Sequence, residues 1–567
     1  MNRGTTLLGF FLVSVALVLG CEDTPGDPRG PMPSDASTWH VDAGDAGSAL
    51  TVLSTTPGPG SAGADVLSPL AVTFSEDLEP STVTEATLTL LHGDLPVDGA
   101  VDVQGQVATF TPARRLALLG HYTATVSAGV RGASGATLAS SHAWSFTTRD
   151  GAWGAGEHVH RQVEGPAASP RLALDSHGRL LAVWVQPEGR RQDLWFSRYT
   201  PGVGWEPTSA VDATLDGTSN APELVAGADG SMVAVWVQQR GAASLMFSRY
   251  LPGQGWALPA PVDSRNGGDV TVLQLAGDDL GRVLAVWSQF DLDSFSENLW
   301  SARYTPGEGW SRAERIDIDV ETFPGDTWEL DVAMSGAGEA VATWSRFDGS
   351  QSTAWARHYS HGAGWSEPER LDDALADTTA PTVDVAADGT ALLAWLRLED
   401  GRQTLQGRRY VPGVGWDLPL AIDADLVGHS IDPQVRFDAA GNAVVVWSQF
   451  DGAHNSILAN HYTAGAGWGQ ALVLETHDAG SARTPQLAVD ARGHAVAVWE
   501  EEHGPLSRIA ASRYVAGRGW SPATHLDTGC GGSGTRPQVA LSTGGHAMAV
   551  WSSLSEGAAA VCGNAFE

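Results

Sequence analysis

Seven carboxylates crowd one stretch of the chain: Asp291, Asp293 and Glu297, followed by Asp317, Asp319, Glu321 and Asp326. Alternate residues of a strand point to one side, so Asp317, Asp319 and Glu321 would converge if a strand ran through them. Such a group, with backbone carbonyls, suits Ca2+, which takes about six to eight oxygen ligands. The competing reading is a solvated acidic loop, and the sequence requires no cofactor. A second set is spread more widely. Arg171, Glu223, Gln274, Asp331, Thr382, Gln434, Gln486 and Gln538 each stand seven residues before a recurrent glycine, with Asp384 and Arg436 two residues further on in their own units. Side chains of this kind would hold a sugar or a peptide by hydrogen bonds, or else ordered water. Cys530 and Cys562 form an even pair once Cys21 is set aside, a possible disulfide. His158 and His160 alternate but lack a visible third ligand, so they read as an exposed strand face. The chain has no His-Glu-x-x-His, no Gly-x-Ser-x-Gly and no cysteine with an evident base, so no catalytic residue is assigned and a non-enzyme is expected.

These residues belong to an acidic chain, with 33 basic against 66 acidic side chains and a formal net charge of −33. Every basic residue is arginine. Nucleic acid is not expected as a partner, because phosphate binding needs a basic footprint. Hydrophobic residues at 43% are enough for packed cores, while 67 glycines, 30 prolines and 22 tryptophans favour short strands and turns over long helices.

The N-terminus reads as an address. Arg3 precedes an apolar run from Leu7 to Leu19, of signal-peptide length and too short for an ordinary membrane span. Val18-Leu19-Gly20-Cys21 resembles a bacterial lipobox, which implies lipidation of Cys21 after removal of residues 1–20 and anchorage in the lipid bilayer through two or three acyl chains. Residues 21–50 are rich in Pro, Gly, Asp and Ser without an apolar period, as a disordered tether would be.

Residues 51–148 read as short alternating strands separated by turns. Thr73-Phe74-Ser75-Glu76, Phe110-Thr111-Pro112, Tyr122 and Trp144-Ser145-Phe146-Thr147-Thr148 resemble the SbsA-type bacterial Ig-like domain, which implies a β-sandwich acting as spacer or adhesion module. The turn Arg131 to Ala136 lacks the acidic residue and asparagine common in that family.

From residue 152 the chain repeats at about 52 residues. One tryptophan series closes an Ala-Val-Trp-like strand: Trp184, Trp236, Trp287, Trp344, Trp395, Trp447, Trp499 and Trp551. Another opens a later strand: Trp153, Trp205, Trp256, Trp310, Trp365, Trp416, Trp468 and Trp520. Each unit offers four strands, a to d, as a propeller blade does. The first segment, Trp153 to Val163, looks like a lone strand d, and the last, Pro537 to Phe566, lacks one. The expected fold is therefore all-β: an N-terminal Ig-like sandwich, then an eight-bladed β-propeller over 152–567 closed by pairing of its terminal strands. The a–b and c–d turns keep constant length, so all variation falls in the b–c and d–a loops on the opposite face, where ligands of repeat proteins commonly bind. The expectation is a monomeric lipoprotein of the outer membrane or cell surface, binding or adhering through that face to a glycan or protein. A lectin is the nearest alternative, and a polysaccharide hydrolase or lyase a further one.

Overall fold

The computed structural model describes residues 49–567, apart from 161–165, 176–177, 263–267, 292–294, 318–325, 373–375, 424–427, 476–479 and 556–557. The leader, Cys21, the tether up to residue 48, Asp293, Asp319 and Glu321 lie outside the described residues. The described chain is all-β, with no α-helix and one 3-10 turn at Pro80–Thr82. No helix among the described residues is long and apolar enough to cross a membrane.

Residues 50–148 form two four-stranded sheets. One runs Val52–Thr56, Leu70–Phe74, Val107–Pro112, Gly99–Gln104; the other Leu95–Pro96, Leu88–His92, His121–Val126, His142–Thr147. Alternation decides the packing: Leu70, Val72 and Phe74 point inward from one strand and Tyr122, Ala124 and Val126 from another, all at most 2% exposed.

After it come eight four-stranded repeats. In unit 1, strand a is Ala168–Leu174, b Leu180–Glu188 and c Arg191–Thr200, all antiparallel neighbours. Strand d is broken into Gly204–Trp205 and Ser209–Ala210, both paired with c. Strand b is buried at seven successive positions, apolar on both faces because a sheet packs on each side. Its tryptophan belongs to the most deeply buried set in the protein, Trp184 to Trp551. The second tryptophan sits edge-on to the strand-c tyrosine, as Trp205 does to Tyr199 at 5.3 Å. Gly202 and Gly204 take φ of 75° and 97°, which explains the recurrent Gly-x-Gly before that tryptophan. The first two repeats share one sheet through Gln192 and Thr218; the others form separate sheets.

The sheet of the eighth repeat joins the two ends of the repeat region. Its order is Ser533–Leu541, Ala547–Ser555, Ala558–Phe566, Glu157–His158, with Cys562 opposite His158. Strand a of unit 1 packs against strand a of unit 8, as successive strands a do elsewhere.

The Ig-like domain docks on the a–b turns of the repeats. The Leu118 amide donates to Gly544 O at 2.8 Å, Arg492 donates to Leu118 O at 3.0 Å, and His546 meets Leu116 O at 3.1 Å. Leu116, Leu118 and His546 are all buried. Arg115 and Arg149 hold Glu567, through its side chain and its backbone carbonyl respectively, both at 2.8 Å. A spacer expected from sequence is thus a packed neighbour of the repeats, leaving the b–c and d–a loops on the other face.

Candidate functional site

The polar positions of strand a are set by a backbone device. In seven units the residue two positions earlier has positive φ: Ser169, Ala221, Glu329, Ala380, Asp432, Thr484 and Arg536, at 44° to 53°. Each lies where the a–b register slips, as between Ala168 and Arg171 or Thr535 and Gln538. In six of the seven the next residue is proline, which needs no ladder partner and fits a bulge. Bulges re-aim side chains beside functional sites, and these seven precede the polar residues identified from sequence. In three units the sequence signal is Pro-Gln, at Asp432-Pro433-Gln434, Thr484-Pro485-Gln486 and Arg536-Pro537-Gln538.

The row is partly satisfied by itself. Arg171 Nε donates to Glu223 Oε1 at 2.9 Å, linking units 1 and 2. Asp331 accepts from Thr382 Oγ1 at 2.9 Å and the Val383 amide at 3.0 Å, and Asp384 accepts from the Phe437 amide at 2.7 Å. Burial pushes the carboxyls of Glu223, Asp331 and Asp384 up, opposed by Arg171 for the first and Arg436 for the other two. Gln434 and Gln538 donate only to the carbonyls of their own preceding prolines, at 3.0 and 2.9 Å. Gln274 and Gln486 make no side-chain hydrogen bond among the described residues. Unit 3, which carries Gln274, is also the unit whose strand a lacks the positive-φ residue.

Of the acidic stretch, Asp291, Glu297, Asp317 and Asp326 belong to the described residues, while Asp293, Asp319 and Glu321 lie outside them. Strand d of unit 3 ends at Arg315, two residues before Asp317. Asp317 is instead buried and bound by Arg315 through both carboxylate oxygens. The reason is periodic: an acid stands seven residues after each strand-d tryptophan from Trp205 onward. Asp212, Asp372, Asp423 and Glu475 occupy this position and accept a strand-c amide at 2.9, 2.7, 3.1 and 2.9 Å. His160 takes the same place after Trp153 and accepts the Val561 amide at 3.4 Å. These side chains clamp strand d to strand c. Glu297 accepts from Thr271 at 3.0 Å and Ser288 at 2.9 Å, Asp291 from Asn298 at 3.4 Å, and Asp326 opens strand a of unit 4 opposite Phe347.

Two buried acids escaped sequence reading. Asp193, 2% exposed, is raised to about 6 by burial and by Asp212 beside it. Glu475 is raised to about 7, chiefly by burial, with Glu501 contributing. Neither stands in the strand-a row. Cys530 and Cys562 are joined as a disulfide, with Cα atoms 6.4 Å apart.

Residues 46–148 match the bacterial Ig-like domain family. The N-terminal domain is Ig-like. No curated protein matches the chain. Among solved structures it is similar to a protein of unknown function from Dyadobacter fermentans, at 11% identity and TM-score 0.37, covering 74% of this chain and 99% of that one. It is similar also to an ulvan lyase, a polysaccharide lyase, at 10% identity and TM-score 0.40, covering 65% and 96%. A third is the intramolecular trans-sialidase of Ruminococcus gnavus, at 12% identity and TM-score 0.35, covering 63% and 96%.

Proposed function

We propose that the protein is an envelope or surface lipoprotein, anchored through Cys21, whose eight repeats form a closed eight-bladed propeller that binds a hydrogen-bonding ligand without catalysis. The pairing of Cys562 with His158 and the packing of the first strand a on the last support closure. The observation that carries the binding reading is the row of polar side chains on strand a, seven of them behind a positive-φ bulge, with the Gln274 and Gln486 amides left for a ligand. Amides paired with a few charged groups suit the hydroxyls of a glycan or the backbone of an extended peptide. A glycan is the first ligand to test.

The full chain, screened on a glycan array with and without Ca2+, is expected to bind at least one glycan. The Gln274→Ala, Gln486→Ala variant is expected to bind it about tenfold more weakly with unchanged thermal stability. Loss of binding in chelator would bring a metal into the site, and turnover of the glycan would replace the binding reading with an enzyme. An array without signal would remove the lectin and put a protein ligand first. Cys21→Ser should move the protein from the membrane fraction to the soluble one, and its retention in the membrane would overturn the anchor.

A further inference from the structure

The repeat whose sheet joins the two ends of the repeat region differs chemically from the other seven repeats. At the register where strand c meets the second piece of strand d, those units pair Trp195 with Ala210, Met246 with Pro261, Trp300 with Arg315 and Ala510 with His525, and none of the seven places a cysteine there. In unit 8 the same register pairs Cys562 with His158, and the preceding d–a loop adds Cys530. His158 Nδ1 lies 3.7 Å from Cys530 Sγ and 3.8 Å from Cys562 Sγ, and the three donor atoms fall within 4.8 Å of one another. Both sulfurs are buried, while His158 is exposed and gives a path from solvent.

We propose that Cys530, Cys562 and His158 are a redox-gated cation site: a disulfide when oxidised, and a three-ligand site for Zn2+ when reduced. The spacing supports it. With Zn–S near 2.3 Å and Zn–N near 2.0–2.1 Å, the N···S edge of a tetrahedral site is about 3.6 Å, close to the two distances observed. Cα atoms at 6.4 Å stand toward the wide end of what a disulfide spans, so the sulfurs can separate without moving the backbone far. Two thiolates and an imidazole are a donor set that zinc prefers over Ca2+ or Mg2+, and water from the exposed side completes the tetrahedron.

The chemistry balances with a dithiol as reductant. The dithiol attacks the Cys530–Cys562 bond, is oxidised to its own disulfide, and passes two electrons and two protons to the protein sulfurs. Zn2+ then displaces those two thiol protons to solvent as the Zn–S bonds form. Either state ties the d–a loop and the last strand together, and zinc adds the first strand, so the seam stays cross-linked in both.

Cobalt makes the site visible. The full chain carrying Cys21→Ser is reduced with a dithiol, freed of reductant under anaerobic conditions and titrated with Co2+. Where the folded disulfide resists the dithiol, the reduced, unfolded chain is refolded in Co2+ instead. The expected result is one Co2+ per chain, with a thiolate-to-metal charge-transfer band and tetrahedral d–d bands, displaced by Zn2+. Cys562→Ser should abolish the bands, and His158→Ala should weaken binding roughly 100-fold, at or beyond the loss of an outer-shell partner. Folded, fully reduced protein without these bands would overturn the site. So would unchanged affinity in His158→Ala, or spectra equally strong in the oxidised protein.

Discussion

Asp193 shows how a single side chain departs from its siblings. Its strand-c position holds the neutral groups Asn298, Thr353, Thr404 and Ser456 in units 3 to 6, where the following turns carry Asp317, Asp372, Asp423 and Glu475, and Arg508 in unit 7. Asp193 puts a second carboxylate there, and burial with Asp212 raises it to about 6. A carboxyl raised on folding contributes stability that is complete below the unfolded value near 4 and lost as the pH rises through about 6. Asp193→Asn should therefore stabilise the protein by about 1–2 kcal/mol at pH 7.5 and by nothing at pH 4, read from urea denaturation at both. The difference was invisible in sequence, because partnership with Asp212 requires strand c to meet the turn that follows strand d. The buried Trp–Gln pairs make the opposite case. Trp184, Trp236, Trp287 and Trp447 donate from Nε1 to the glutamine two residues on, at 3.0, 2.9, 3.2 and 3.1 Å, a contact local enough to read from spacing.

At the scale of elements, most of the repeat was legible. Strand b, the turn glycine six residues before its tryptophan and the strand-c tyrosine all fall where the period places them. Two features were not. Strand d is two short pieces, Gly204–Trp205 and Ser209–Ala210 in unit 1, and strand a bulges beside a proline in six of its seven units with a positive-φ bulge. The unit-8 strands depend on cross-linking as well as on pairing, because their partner is the short Glu157–His158 segment. Closing the 32-residue separation between Cys530 and Cys562 stabilises by about 3–4 kcal/mol in the chain-entropy account. Cys530→Ser with Cys562→Ser should lower stability by about that amount in guanidinium denaturation, and faster hydrogen exchange should be confined to Ala558–Phe566 and Glu157–His158.

For the whole molecule, the junction of the Ig-like domain and the repeats governs how they respond to acid. His546 is buried there against Leu116, and burial, with Arg115 contributing, holds it down to about 4. A histidine depressed on folding leaves stability intact above its unfolded value near 6.5 and removes it as the pH falls toward 4. Docking should weaken over that window: scanning calorimetry is expected to show one transition at pH 7.5 and two near pH 5. His546→Gln should make the splitting less dependent on pH. Leu118→Glu, which buries a carboxylate in the same contact, should separate the transitions already at pH 7.5.

The sequence by itself determined the class of structure, the Ig-like segment, the repeat and its period, and the eight polar positions of strand a. Each of these rests on interactions between residues near in the chain, or on a pattern repeated often enough to reveal itself. The tertiary structure decided what those positions do. It seated the Ig-like domain on the a–b turns and brought His158 beside Cys530 and Cys562. Such contacts join segments up to 452 residues apart, and only the folded chain sets which of them meet.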